Sequence, residues 1–303
     1  MNCIFIYNPV GGKGKIAKKL DFIVSELEKK YDTVDVYATK CAGDMSRMAR
    51  ESAQNYDAIV FAGGDGSFNE MVEGLGGVEN MPQLGYIPSG TVNDIAHTLK
   101  IPTNTKKALK IIQTGRTELL DCMKVNDHYV MYVVAAGAFT STTYATPQTQ
   151  KNHMGRIAYG FEGIKHNLKF QVFEITCEGE TTTTHTDSVL IAVMNSRYVA
   201  GFGLNKKASL QDGKLEVAII RQNKTPNFFR KCGALFDVAR LFLFGYKVKM
   251  KHLVKLEGSS FDIKTGEEVT WTFDGEKGQS GNVHIEVIPR KINMIVPKKL
   301  KKV

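Results

Sequence analysis

The sequence has no apolar run long enough to cross a bilayer. A spanning helix takes roughly 18 or more uninterrupted apolar residues, and no stretch of the 303-residue chain approaches that. The opening Met1-Asn2-Cys3-Ile4-Phe5-Ile6-Tyr7 is too short for the apolar core of a secretory signal and lacks a basic start, so the chain is expected to stay in the cytoplasm. The five cysteines (Cys3, Cys41, Cys122, Cys177 and Cys232) are odd in number, scattered and never spaced C-x-x-C. They support neither a disulfide framework nor a zinc site and are expected to be reduced core thiols. The seven histidines show neither H-E-x-x-H nor close pairing, which speaks against a transition-metal centre. There is no internal repeat, no low-complexity linker and no interleaving of aromatic with basic residues, so a nucleic-acid partner is not expected.

What is present is globular: 43% hydrophobic and 23% charged residues, in a chain long enough for two domains. Forty Lys and Arg against 31 Asp and Glu leave a formal charge of +9, which favours an anionic partner without choosing among nucleotide, nucleic acid and membrane. Over the first hundred residues short apolar runs alternate with helical periodicity. Strands are expected at 3–7, 34–37, 58–62 and 84–87, and helices over 16–27 and 44–55 and starting at Ser67 and Val92. Strands separated by helices predict a parallel α/β sheet. Beyond about Asp121 apolar runs at 129–135, 170–176, 189–194, 215–220, 269–273 and 283–288 follow one another, which predicts mostly antiparallel β structure. The exceptions are helices expected over 154–168 and 227–245, and the lysine-rich tail after Pro297 reads as a solvated charge run.

Three Gly-rich segments each lie after a strand and before a helix: Asn8-Pro9-Val10-Gly11-Gly12-Lys13-Gly14-Lys15, Gly63-Gly64-Asp65-Gly66-Ser67-Phe68-Asn69-Glu70, and Pro88-Ser89-Gly90-Thr91-Val92-Asn93-Asp94. Unpaired backbone N–H groups at such turns make anion sites, and the carboxyl ends of the strands are where open α/β sheets bind ligands. None is a Walker A loop or a G-x-G-x-x-G. A plainer reading of each stands beside this one: Ser67 with Glu70, and Thr91 with Asp94, fit helix-capping patterns. Three such loops in one sheet favour the anion site.

These residues resemble a known family. Asn8-Pro9-x-x-Gly12, Gly63-Gly64-Asp65-Gly66-Ser67 and Ile87-Pro88-x-Gly90-Thr91-x-Asn93-Asp94, followed by Asp212-Gly213 and Asp274-Gly275-Glu276, are similar in order and separation to the signature segments of the diacylglycerol kinase catalytic-domain family, in its soluble bacterial branch. The resemblance implies an N-terminal parallel-sheet α/β nucleotide-binding domain over 1–124, a C-terminal antiparallel β-sandwich domain over 125–289 for the lipid acceptor, and a tail, 290–303, that packs back on the first. It implies that Asn8, Pro9, Val10, Gly11, Gly12, Thr39, Gly64, Asp65, Gly66, Ser67, Phe68, Asn69, Glu70 and Thr91 line an ATP site, with Asp65 helping to hold the catalytic Mg²⁺. It implies a second, structural Mg²⁺ on the Asp212 carboxylate and the carbonyls of Ser209 and Lys214, and Glu276 as general base. Ser67 replaces a more usual Thr and Ser89 a frequent apolar residue; neither change removes a charge. The implied partners are ATP and a lipid substrate at the inner membrane surface, where the protein would sit peripherally, and a homodimer is left open.

The implied chemistry agrees with the residue types. Phosphoryl transfer needs positioning and neutralised phosphate charge, which loop amides, Mg²⁺ and Lys13 or Lys15 supply, and a weakly nucleophilic alcohol gains from a carboxylate base. Read without the resemblance, Asp274-Gly275 and Asp212-Gly213 are good hairpin turns and Glu276 a polar tip. The segment from Phe228 to Phe244, with Lys247, Lys249 and Lys251 after it, combines apolar bulk and basic flanks that suit an anionic lipid surface. A helix packed on the β domain with solvated lysines is the preferred reading there. Tyr144-Ala145-Thr146-Pro147 is expected to begin a loop and helix that border the acceptor cleft. Two rivals remain: a nucleotide kinase of the NAD kinase type, which shares Gly-Gly-Asp-Gly after a strand, and a non-enzymatic nucleotide-binding regulator. The loops at Asn8 and Gly90 favour the lipid branch.

Overall fold

The computed structural model describes residues 1–138, 171–223 and 228–300. The helix expected over 154–168 and the loop at Tyr144 lie outside the described residues. The chain forms two compact units: Met1–Cys122 with Leu210–Asp212 and Ile288–Val303, and Met123–Ser209 with Gly213–Val287.

In the first unit, strands β1 (Asn2–Tyr7), β2 (Thr33–Ala38), β3 (Ala58–Gly63) and β4 (Gln83–Pro88) alternate with helices α1 (Leu20–Leu27), α2 (Asp44–Ser52) and α3 (Asp65–Leu75), and α4 (Asp94–Leu99) and α5 (Thr105–Thr114) follow. The strands pair in parallel in the order β4-β3-β1-β2. Parallel neighbours need crossover connections, which the helices provide. Every residue of β3 is buried, as the unbroken apolar run 58–62 requires of a strand covered on both faces. A parallel order sets all four carboxyl ends on one edge. Asn8 follows β1 there, Thr39 follows β2, Gly64 follows β3 and Ser89 follows β4.

The helices differ from expectation at their starts. Two 3-10 turns, Gly11–Gly14 and Ala17–Lys19, precede α1, and α3 and α4 begin at Asp65 and Asp94 rather than at Ser67 and Val92. The second glycine-rich segment thus runs into α3, while the first forms a 3-10 turn and the third stays a loop up to Asn93.

The chain leaves the first unit through β5 (Arg116–Val125) and the second is built from β6 (His128–Val130), β7 (Val133–Gly137), β8 (Phe173–Gly179), β9 (Thr183–Met194), β10 (Leu215–Arg221), helix α6 (Phe228–Phe244), β11 (Leu253–Gly258), β12 (Ser260–Thr265), β13 (Thr270–Phe273), β14 (Glu276–Ser280) and the start of β15 (Val283–Val296). Pairing is antiparallel, in the order β14-β13-β7-β9-β8-β12-β15, with β10 also on β9 and β11 on β10. Strand β9 changes partners along its length: Thr183 to Ser188 pair with β8, whereas Leu190 to Met194 pair with β7. Such a switch turns one strand into the corner of a sandwich. The core gathers Trp271, Phe261, Ile263, Val193 and Val217, and the Trp271 indole N–H donates to the Gly281 carbonyl at 2.8 Å. The single strand expected over 129–135 is two, β6 and β7, because the amides of Met131, Tyr132 and Val133 turn to a carboxylate, that of Asp274. The fold is therefore a parallel α/β domain followed by an antiparallel, β-sandwich-like domain.

Candidate active site

The first loop is knitted by Asn8. Its side-chain oxygen accepts from the amides of Val10 at 3.0 Å and Gly11 at 3.1 Å, and its carbonyl accepts from Gly11 at 3.2 Å. An Asn at the strand end thereby folds the chain back without a helix. Val10 stands 82% exposed at the tip. The Thr39 amide donates to the Tyr7 carbonyl at 2.9 Å, closing the end of β2 against β1.

The second and third loops are brought into direct contact. A Cβ on Gly90 would stand 2.5 Å from the Gly64 Cα, and one on Gly63 would stand 2.2 Å from the Ser67 Cβ and Oγ. Only glycine allows two backbones to approach so closely. The Ser89 amide donates to the Gly63 carbonyl at 2.8 Å. Asn93, at φ 57, accepts from the Gly90 amide at 3.0 Å and donates to the Gly90 carbonyl at 2.7 Å. Beneath them Phe61, Phe68 and Tyr86 form a ring cluster with centroids 4.9 to 5.4 Å apart. The Tyr86 hydroxyl reaches the Gly63 carbonyl at 3.1 Å.

Asp65 is the tie between them. One carboxylate oxygen accepts from the Asn93 amide and the other from the Asp94 amide, both at 2.7 Å. Burial lifts the carboxyl above the usual aspartate range, against the pull of the backbone N–H groups of Asn93, Asp94 and Asp65 itself. With Asp65 engaged in this way, the N–H groups of Gly66 and Ser67, in the first turn of α3, have no acceptor within the helix and remain donors for an anion.

The other expected nucleotide residues divide into two groups. Asn8, Pro9, Gly64, Gly66, Ser67 and the exposed Thr91 lie in or at the loops on the carboxyl edge. Phe68 is 1% exposed within the ring cluster, and Glu70 turns to the start of α2, where it accepts from the Met45 amide at 3.2 Å. Neither expected capping pattern forms: α3 and α4 are preceded by Gly64 and Asn93, with no side-chain cap of their own.

In the second unit the hairpin carrying Glu276 is fixed by its neighbour. Asp274, 3% exposed and at φ 50, accepts from the amides of Met131 at 2.7 Å and of Tyr132 and Val133 at 2.9 Å each. Gly275 at φ 87 completes the tight turn, and Glu276 projects from it into solvent, paired across the ladder with Phe273. The sequence marked Asp274 only as part of a turn and a signature segment, not as the acceptor of three amides, and did not single out Asp121, a buried acid that accepts from the Arg290 amide at 2.8 Å and whose amide donates to the Leu210 carbonyl. On the turn 209–214, Asp212 is exposed, Gly213 sits at φ 67, and the Lys214 ammonium pairs with Glu257 at 2.6 Å. Its carboxylate and carbonyls are hard oxygen donors of the kind Mg²⁺ takes. Among the described residues no three His, Cys, Asp or Glu side chains gather as a metal set. A nucleotide-borne Mg²⁺ needs only one or two carboxylates beside the phosphates and water.

Comparison with known proteins agrees with this architecture. The family described as Diacylglycerol kinase catalytic domain matches residues 2–125, and the YegS C-terminal NAD kinase beta sandwich-like domain matches residues 132–296. The chain is 30% identical to the diacylglycerol kinase of Bacillus subtilis (strain 168), over 97% of this chain and 95% of that one. It is 29% identical to the diacylglycerol kinase of Staphylococcus aureus (strain MRSA252), over 96% and 91% of the two chains. A crystal structure of a candidate diacylglycerol kinase from Bacillus anthracis (strain Sterne) superposes with a TM-score of 0.84 at 24% identity, covering 97% of this chain and 95% of that one. The chain belongs to the diacylglycerol kinase family, a family of kinase-type enzymes.

Proposed function

We propose that the protein transfers the γ-phosphoryl group of Mg-ATP to a lipid hydroxyl, with diacylglycerol the leading acceptor and phosphatidic acid the product. The observation that carries this reading is the pair of glycine turns stapled by Asp65 at the carboxyl edge of a parallel sheet. Such a seat presents backbone N–H groups to phosphate oxygens without side chains in between. Residues 1–124 form the nucleotide half, with Asn8, Gly11, Gly12, Thr39, Gly64, Gly66, Ser67 and Thr91 nearest the phosphates. Residues 125–289 form the acceptor half. Asp65 acts by holding the two loops in register and by offering its remaining lone pairs to the hydrated metal. Mg²⁺, when bound, neutralises phosphate charge, and Asp212 with the Ser209 and Lys214 carbonyls would hold the structural ion.

Glu276 serves as general base. It accepts the hydroxyl proton as the lipid oxygen bonds to the γ-phosphorus and the bond to the ADP oxygen breaks. The turn that carries it is fixed by Asp274, which gives the base a defined backbone mount. The protein works as a peripheral enzyme at the inner membrane surface.

The test is an assay with γ-labelled ATP against a panel of purified lipids in mixed micelles, with NAD in a parallel tube. Label in phosphatidic acid is the expected result. Label in NAD alone would assign the chain to the nucleotide-kinase branch, whose sandwich its second half shares in description.

A further inference from the structure

We propose that the outer face of α6 is a membrane anchor, which seats Phe236, Leu243 and Phe244 in the acyl region of an anionic bilayer while the neighbouring lysines meet the headgroups. The proposal rests on the lipid-kinase reading for its purpose, but on the second unit alone for its geometry.

Successive side chains on a helix lie about 100° apart, so Ala234, Val238 and Leu241 fall on one side of α6 and Phe236, Arg240, Leu243 and Phe244 on the other. The first set is fully buried, and the helix packs on β10. The second set holds Phe236, Leu243 and Phe244 at 64%, 69% and 62% exposure. Among the described residues only Val10 is a more exposed large hydrophobic. The Arg240 guanidinium lies 5.7 Å over the Phe236 ring, a cation at the rim of the apolar face.

The helix is held firmly from beneath. Buried Asp237 accepts from the His252 amide at 3.3 Å and contacts its Nδ1 at 2.8 Å, and Tyr246 bonds the Leu204 carbonyl just past the helix end. Gly245, at φ 83, ends the helix where a Cβ would stand 2.7 Å from that same carbonyl. Beyond it Lys247, Lys249 and Lys251 are exposed, and so are Lys206 and Lys207 on the segment that follows Leu204. The Lys207 ammonium beside Lys247 lowers the Lys247 pKa, and Glu216 opposes it. Like charges so placed are relieved by an anionic surface.

Convex apolar side chains beside a lysine cluster fit a bilayer interface rather than a groove-bound peptide. The same positive charge disfavours a second copy of this chain as the occupant.

The test uses the full chain carrying Phe244→Trp and vesicles of phosphatidylglycerol with brominated acyl chains. The natural Trp271 is fully buried and gives a constant background. Quenching of the introduced indole is expected. A loss of vesicle affinity of at least about tenfold is expected for Phe236→Ser/Leu243→Ser/Phe244→Ser, and a similar loss for phosphatidylcholine in place of phosphatidylglycerol. The triple variant keeps its rate on water-dispersed short-chain diacylglycerol. An unquenched indole overturns the proposal, as does wild-type vesicle affinity in the triple variant, or a self-association in solution that the triple variant abolishes. If vesicles bind and quench while no lipid is ever phosphorylated, the anchor stands and the kinase reading fails. Phosphorylation of dispersed lipid without quenching is the reverse.

Discussion

Replacing Asp65 by asparagine separates its role as a tie between loops from a role as a bare charge. Each carboxylate oxygen takes one backbone amide, those of Asn93 and Asp94, and both residues are 1% exposed. Asparagine keeps one acceptor and turns an NH₂ towards the other amide, leaving a buried donor without a partner. That loss is worth about 1–3 kcal/mol, partly offset by relief of the buried charge. Local opening of the loop should therefore rise, and exchange of these two amide hydrogens should accelerate roughly 5- to 150-fold. The assay is hydrogen exchange read by mass spectrometry on peptides spanning Ser89 to Ala96. The pH dependence has a definite sign. Burial raises the Asp65 pKa in the folded protein, so folding favours proton uptake there. The group's contribution to stability is then fully present below the ordinary aspartate value and is lost as pH rises through the raised one. A protonated carboxyl still offers two oxygens and asparagine does not, so the deficit of Asp65→Asn should widen as the solution is acidified across that window. Unchanged protection at Asn93 and Asp94 in the variant would refute the tie.

Gly90→Ala forces a methyl group to within 2.5 Å of the Gly64 backbone; overpacking of this kind costs about 1–3 kcal/mol, and calorimetric titration with ATP should show affinity reduced by about tenfold or more. Asp274→Asn leaves three buried amides with one good acceptor and should destabilise the second unit by about 1–3 kcal/mol, read from the fluorescence of Trp271 on the adjoining strand in urea. Asp212→Ala should shift activity to higher Mg²⁺ without changing ATP affinity, and an unchanged Mg²⁺ dependence would remove the ion from that turn.

Much of the first unit was legible because parallel strands buried on both faces are written as unbroken apolar runs, and 58–62 is one. The glycine turns were legible as places where no Cβ fits. What was not legible is which groups the polar residues meet. Ser67 and Glu70 have capping spacing, yet Glu70 serves Met45 on the preceding helix and Asp65 serves the amides of the following loop. Strand β14, Glu-Lys-Gly-Gln-Ser, has no apolar residue to announce it and exists because Asp274 and Gly275 adopt positive φ and fold it onto β13. The break between β6 and β7 is set by a carboxylate 141 to 143 residues away, which no local pattern carries. Helix α5 did have a local signal, an Asn104 cap accepting from the Lys107 amide at 3.1 Å, ahead of apolar residues at helical spacing.

Nucleotide binding and lipid phosphorylation measured on one preparation of Glu276→Gln bear most directly on the claim that loop amides seat ATP while a separate hairpin supplies the base. Glu276 is exposed, so the substitution should leave stability within about 0.5 kcal/mol of wild type and ATP affinity unaltered. Transfer of label to diacylglycerol should fall by about 10²- to 10⁴-fold. Wild-type transfer by this variant, or loss of ATP binding together with transfer, would contradict the account.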